Sequence, residues 1–223
     1  MARNTTHRKQ TLTYYFSVEG ETEQWYLEWL EDQINAIENA NYIVKIIAKV
    51  EKDPVSFVKK LVIQKKTVIW HLSDIEGSSD EQIQTVHNTL GRLKKAKGLG
   101  KSIIYKWAYS NLSFDLWMVL HKQNCNAEFN DVGKYLSHIN RVFDEHFESM
   151  REYKEEANFK RCLGKLTFPE VLAALSRAKA IIQRNERDGY QLTQFKGYSY
   201  YIHNPSIDLW KPIEAILSDC GIL

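Results

Sequence analysis

The chain has 223 residues, 43% of them hydrophobic and 26% charged, with a net charge of +2. That length suffices for one sizeable core. No run approaches the roughly 20 apolar residues of a membrane span, and the near-neutral balance excludes a global electrostatic pull on nucleic acid.

The cysteines Cys125, Cys162 and Cys220 are widely spaced, with no CxxC pair and no zinc pattern. They read as small buried thiols in a reducing compartment, so a cytoplasmic, non-membrane protein is expected. Residues 1–10 are polar and basic, lack the apolar centre of a secretory signal, and read as a flexible arm.

From Thr11 to Val18 the composition is that of a strand, and Gly20 then permits a tight turn. Thr22 is the expected N-cap of a helix to about Asn39, with Trp25, Tyr26, Trp29, Leu30, Ile34 and Ile37 as its apolar stripe. A second strand is predicted over Tyr42–Ala48. Asp53-Pro54 opens a helix carrying Val55, Phe57, Val58, Leu61 and Val62. Thr67–Ser73 is almost wholly apolar, as in a strand buried on both faces. A helix capped by Ser78–Glu81 follows, then a strand over Lys101–Tyr109. Alternating strands and helices predict a parallel α/β sheet.

Beyond Ser110-Asn111 the pattern turns helical: Leu112–Lys122, Phe129–Tyr153, a helix opened by Pro169, and a terminal helix to about Asp219. The division expected is an α/β core over 11–123 and a mainly helical extension over 124–223, packed as one unit. Lysine groups at 59–66 and 94–101 read as solvated faces or phosphate patches.

Two acidic segments follow apolar strands directly: Glu19-Gly-Glu-Thr-Glu23, and Asp74-Ile-Glu76 before Gly77. In an open α/β sheet, ligands gather beyond the carboxyl ends of the strands. Carboxylates converging there suit a hard divalent cation.

The first segment resembles the opening motif of Toprim domains, found in topoisomerases, bacterial primases and overcoming-lysogenization-defect nucleases. The second resembles their Asp-x-Asp motif, with Glu76 replacing one Asp. A longer similarity, from about residue 11 to 218, is to the RloB family of bacterial defence-associated proteins. It is carried by Val18–Tyr26, Ser110–His121 and Asn204-Pro-Ser-Ile-Asp208. The family usually has Glu where Asp115 stands, and often Asn-Pro where Asn111-Leu112 stand. The resemblance implies a Toprim-like Rossmannoid sheet of about four mainly parallel strands flanked by helices. It further implies a divalent metal, Mg2+ or Mn2+, and a nuclease role in antiphage defence on DNA or RNA, tRNA included. A neighbour-encoded ATPase partner is also implied, and a homo-oligomer is compatible with it.

On this reading Glu19 is a metal ligand or general base, and Asp74 and Glu76 are ligands. Glu23 and Asp115 either complete the cluster or stabilise helix N-termini. Ser110 and Asn111 either cap the next helix or order a substrate loop. His121 is a phosphate contact or a structural histidine, and Lys154 a phosphate contact or a solvated lysine. His71, inside an apolar strand, is expected to be buried and bonded. The competing reading is a binding or signalling subunit with a degenerate site, supported by the departures at Glu76 and Asp115. A different phosphotransfer enzyme is disfavoured, because neither a Walker lysine motif nor Gly-x-Gly-x-x-Gly is present.

Overall fold

The structure is a computed structural model and describes residues 9–223. Most of the expected arm, residues 1–8, lies outside the described residues. Four strands, β1 (Thr11–Val18), β2 (Ile43–Val50), β3 (Thr67–Ile75) and β4 (Ile103–Asn111), alternate with helices α1 (Glu21–Asn35), α2 (Pro54–Lys60) and α3 (Asp80–Lys97). They form a parallel sheet in the order β2-β1-β3-β4, closed by a two-residue antiparallel strand, β7 (Ser206–Ile207). The helical part contains α4 (Asp115–Lys122), α5 (Tyr135–Phe143), α6 (Met150–Tyr153), α7 (Glu156–Leu163), α8 (Phe168–Arg187) and α9 (Trp210–Asp219). A hairpin of β5 (Leu192–Phe195) and β6 (Tyr198–Tyr201) lies between α8 and β7. Among the described residues, no helix is long and apolar enough to cross a membrane.

The period-two alternation of the strands divides the core. Phe16, Val18, Trp70, Leu72 and Ala108 face one side, where α1, α4 and the helices from α5 to α9 cover them. Ile69, Tyr105, Trp107 and Tyr109 face the other, under α2, α3 and Tyr200 of the hairpin. The first cluster runs unbroken across residue 124, through Trp117 and Tyr135 to Ile216. Trp25 and Trp29 pack against it, as their helical spacing indicated. All three cysteines are free and buried.

Side chains explain several boundaries. Asp53 accepts hydrogen bonds from the Val55 and Ser56 amides and pairs with the Arg92 fork, fixing the start of α2. That helix stops at Lys60, so Leu61 and Val62 fall outside it, and Lys101 Nζ donates to the carbonyls of Val58, Lys59 and Leu61 at its end. Lys101 is thus bound internally, and Lys97 lies over the Tyr198 ring. Helix α1 ends at Asn35, short of Asn39, because the Asn35 amide turns to bond both backbone groups of Val44. With Glu31 accepting from the Ile46 amide, this blunts the open edge of β2.

Other expectations are corrected. Thr22 is not the N-cap of α1; Gly20 is. The helix predicted over 129–153 is broken after Phe143, where Asp144 takes a left-handed conformation (φ 51°), and α6 restarts only at Met150. The hairpin was not anticipated. Its turn uses two positive-φ residues, Lys196 and Gly197, a tight connection suited to the twist of paired strands.

Candidate metal centre

In a sheet of order 2-1-3-4 the topological switch falls between β1 and β3, a natural crevice for ligands. Glu19 follows the last residue of β1, and Asp74 is the penultimate residue of β3. The two meet there: the Asp74 amide donates to Glu19 Oε2 at 3.3 Å. Alternation puts Asp74 on the side of Trp70 and Leu72, under α1 and α4. Glu23, in the first turn of α1, and Asp115, the first residue of α4, both belong to that side and are buried.

The acids act on one another electrostatically. Burial, followed by the nearby Glu23 and Glu76 carboxylates, pushes Glu19 up to about 7 against the opposing Asp74 amide and Lys52. Asp74 is raised well above the usual aspartate range by burial, then by Glu23, Glu19 and Asp115, although part of its surface still meets solvent. Glu23 is likewise raised by burial and by Asp115, against the Thr22 hydroxyl and Lys154. These carboxylates are short of positive charge. Lys154 Nζ reaches Asp115 Oδ2 at 2.9 Å, and Ser113 Oγ donates to the same oxygen at 2.6 Å. Asp115 Oδ1 and the Tyr153 hydroxyl are buried with no hydrogen-bond partner, and burial first, then the Asp115 and Glu23 charges, push the Tyr153 hydroxyl well above the usual tyrosine range.

Gly20 acquires a local reason different from a turn. Its φ is −140°, open to any residue, but a Cβ there would stand 3.0 Å from Glu23 Oε2. The glycine makes room for the carboxylate. Gly77 does need its residue type: φ is 153°, and the Gln82 carboxamide fills the space of a side chain.

The other expected site residues separate. Glu76 lies just past the end of β3 and is exposed; its charge still reaches Glu19. Ser110 and Asn111 do not cap α4, because β4 extends to include both. Ser110 is opposite Asp74 in the β3–β4 register and shares its side of the sheet. Asn111 projects to the other side, where its Nδ2 donates to the Tyr201 and Ile202 carbonyls beside the hairpin. A substrate role for that amide is thereby replaced by a structural one. His121 is also corrected. Both ring nitrogens are engaged in the core, Nδ1 with the Trp117 carbonyl and Nε2 with the Tyr26 hydroxyl, and burial drops its pKa to about 4. His71 is buried and bonded to Ser17 through Nδ1, as expected.

Sequence reasoning passed over Ser113, whose placement two residues before an acid at a helix start is a recognisable local hydrogen-bonding signal. It also passed over the part played by Asn204, whose carboxamide bonds both the N–H and C=O of Phe129. The following residues tie down β4: Ser206 Oγ meets the Tyr109 hydroxyl, and the Asp208 amide donates to the Tyr109 carbonyl.

The donor set is all oxygen and negatively charged, and an unpartnered buried carboxylate oxygen belongs to it, which fits a hard cation such as Mg2+ or Mn2+. Among the described residues, no three His, Cys, Asp or Glu side chains stand in a ready ligating array.

A family model described as RloB-like protein matches residues 14–216. No curated protein and no solved structure gives a match. With nearly its whole length covered, from the middle of β1 into α9, the chain belongs to the RloB-like protein family.

Proposed function

We propose that this protein is a divalent-metal-dependent nuclease of Toprim-like construction, hydrolysing phosphodiester bonds of DNA or RNA as a bacterial antiphage effector. The observation that carries the reading is the contact between the Asp74 amide and the Glu19 carboxylate at the β1–β3 switch point, with Glu23 and Asp115 near enough to raise Asp74 electrostatically. Glu19, Asp74 and Asp115 would hold the cation, with Glu23 buried beside them. A bound Mg2+ or Mn2+ supplies charge stabilisation for the attacking and leaving oxygens of a phosphodiester. Glu19, with its pKa raised to about 7, is suited to hold or release a proton near neutral pH. The defence setting and the choice between DNA and RNA, tRNA included, rest on the family resemblance, as does an ATPase partner.

The Lys154–Asp115 ion pair favours a second reading. A lysine already neutralising one acid is what a degenerate site would retain, leaving a binding or signalling subunit. Incubation with Mg2+ or Mn2+ and plasmid, single-stranded DNA, tRNA and total RNA separates the two. Cleavage that disappears in Glu19→Ala and Asp74→Ala supports the nuclease. No cleavage with either metal, together with no heat of metal binding, supports the degenerate subunit.

A further inference from the structure

Resting on the metal-site reading, a second function emerges for Lys154. It follows α6, whose Tyr153 is fully buried with its ring 5.7 Å from Phe147 and 5.5 Å from Phe159. This anchor fixes the point from which the lysine side chain departs. The side chain is 37% exposed, whereas Asp115 is 0% exposed, so the ammonium enters the acidic cluster from the solvent side. Asp115 Oδ2 then has two donors, Lys154 and Ser113, while Oδ1 has none. The same ammonium acts on Asp74 and Glu23. It carries one charge on a flexible stem, among carboxylates whose repulsion it only partly relieves.

We propose that Lys154 is a tethered counter-ion that competes with the divalent metal for Asp115 and so sets the metal affinity of the site. Two cations cannot share one carboxylate oxygen without strong repulsion. A metal on the free Oδ1 would stand one carboxylate away from the ammonium, so its charge opposes the ion pair, and the long lysine stem allows the ammonium to withdraw toward solvent.

The test is calorimetric titration of the full chain with MnCl2, with thermal melts to confirm folding. Lys154→Met should bind Mn2+ about ten-fold more tightly than wild type, and Lys154→Arg should stay near wild type. In an Asp115→Asn background, Lys154→Met should change the affinity far less. That background also guards against misfolding, since it removes the buried charge left unpaired by the single variant. Unchanged or weaker Mn2+ binding by a folded Lys154→Met overturns the inference while leaving the metal site intact. If neither wild type nor Lys154→Met binds Mn2+, the metal-site reading itself falls.

Discussion

Asp74 lies 55 positions after Glu19 in the chain, yet its amide donates directly to the Glu19 carboxylate. The contact joins the ends of two neighbouring parallel strands, and the acids need no loop to bring them together. On the proposed nuclease reading, loss of either side chain should reduce metal-dependent cleavage by at least about 100-fold, since even outer partners of metal ligands are worth 10–100-fold. Single-turnover cleavage by Glu19→Gln and Asp74→Asn, at saturating Mn2+, measures this.

The same acids oppose folding. Glu19 titrates at about 7 in the fold and near 4.3 in an unfolded chain. The folded state therefore favours the protonated form. Its stabilising contribution is complete below the unfolded value and is lost as the pH rises through 7. Glu19→Gln should gain roughly 1–3 kcal/mol over wild type at pH 8, after allowance for partial solvent access, and almost nothing at pH 4. Urea melts at both pH values decide it; an equal difference at the two would contradict the shift. Added Mn2+ at pH 8 should raise the wild-type midpoint more than that of the variant.

Two buried histidines work in the opposite direction. Burial lowers both His71 and His121 to about 4. The fold favours their neutral forms, so this contribution is present above about 6.5 and is lost as the pH falls toward 4. Ring proton resonances should show both midpoints below 5. A midpoint near 6.5 for His121 would mean that its ring reaches solvent, reviving a phosphate contact.

At the edge of the sheet, Glu31→Ala should leave the Ile46 amide without its acceptor and cost about 1–2 kcal/mol. An uncovered edge also invites strand pairing between molecules. Sedimentation at increasing concentration should reveal more self-association in an Asn35→Ala/Glu31→Ala double variant than in wild type.

Gly20→Ala tests the packing around Glu23. The new methyl would stand 3.0 Å from Glu23 Oε2, and the carboxylate would have to shift. Helix α1 should survive, because the φ of −140° suits alanine. Mn2+ affinity should fall by a few-fold with little change in melting temperature, as calorimetry and melts on the same protein would show.

The sheet was legible because its strands are apolar, short and separated by helical periodicity; β1 was predicted residue for residue. The ends of β3 and β4 were not. Asp74, Ser110 and Asn111 have turn-like or capping chemistry, but ladder pairing between the strands carries them further. Alternation then decides what local chemistry could not: Ser110 shares the side of Asp74, while Asn111 turns to the hairpin. The break after Phe143 was hidden by apolar residues at helical spacing on both sides of it. The placing of Glu19 and Asp74 at strand ends was readable from the apolar runs before them, whereas the pairing of Lys154 with Asp115 depends on where α6 docks, which no local pattern encodes.

The residues at the switch point come from positions 19, 23, 74, 115 and 154. Such a centre has no minimal fragment. A ribosome must release most of the polypeptide before these groups can assemble. On the proposed nuclease reading, an unfinished copy of the chain would carry no cleaving centre.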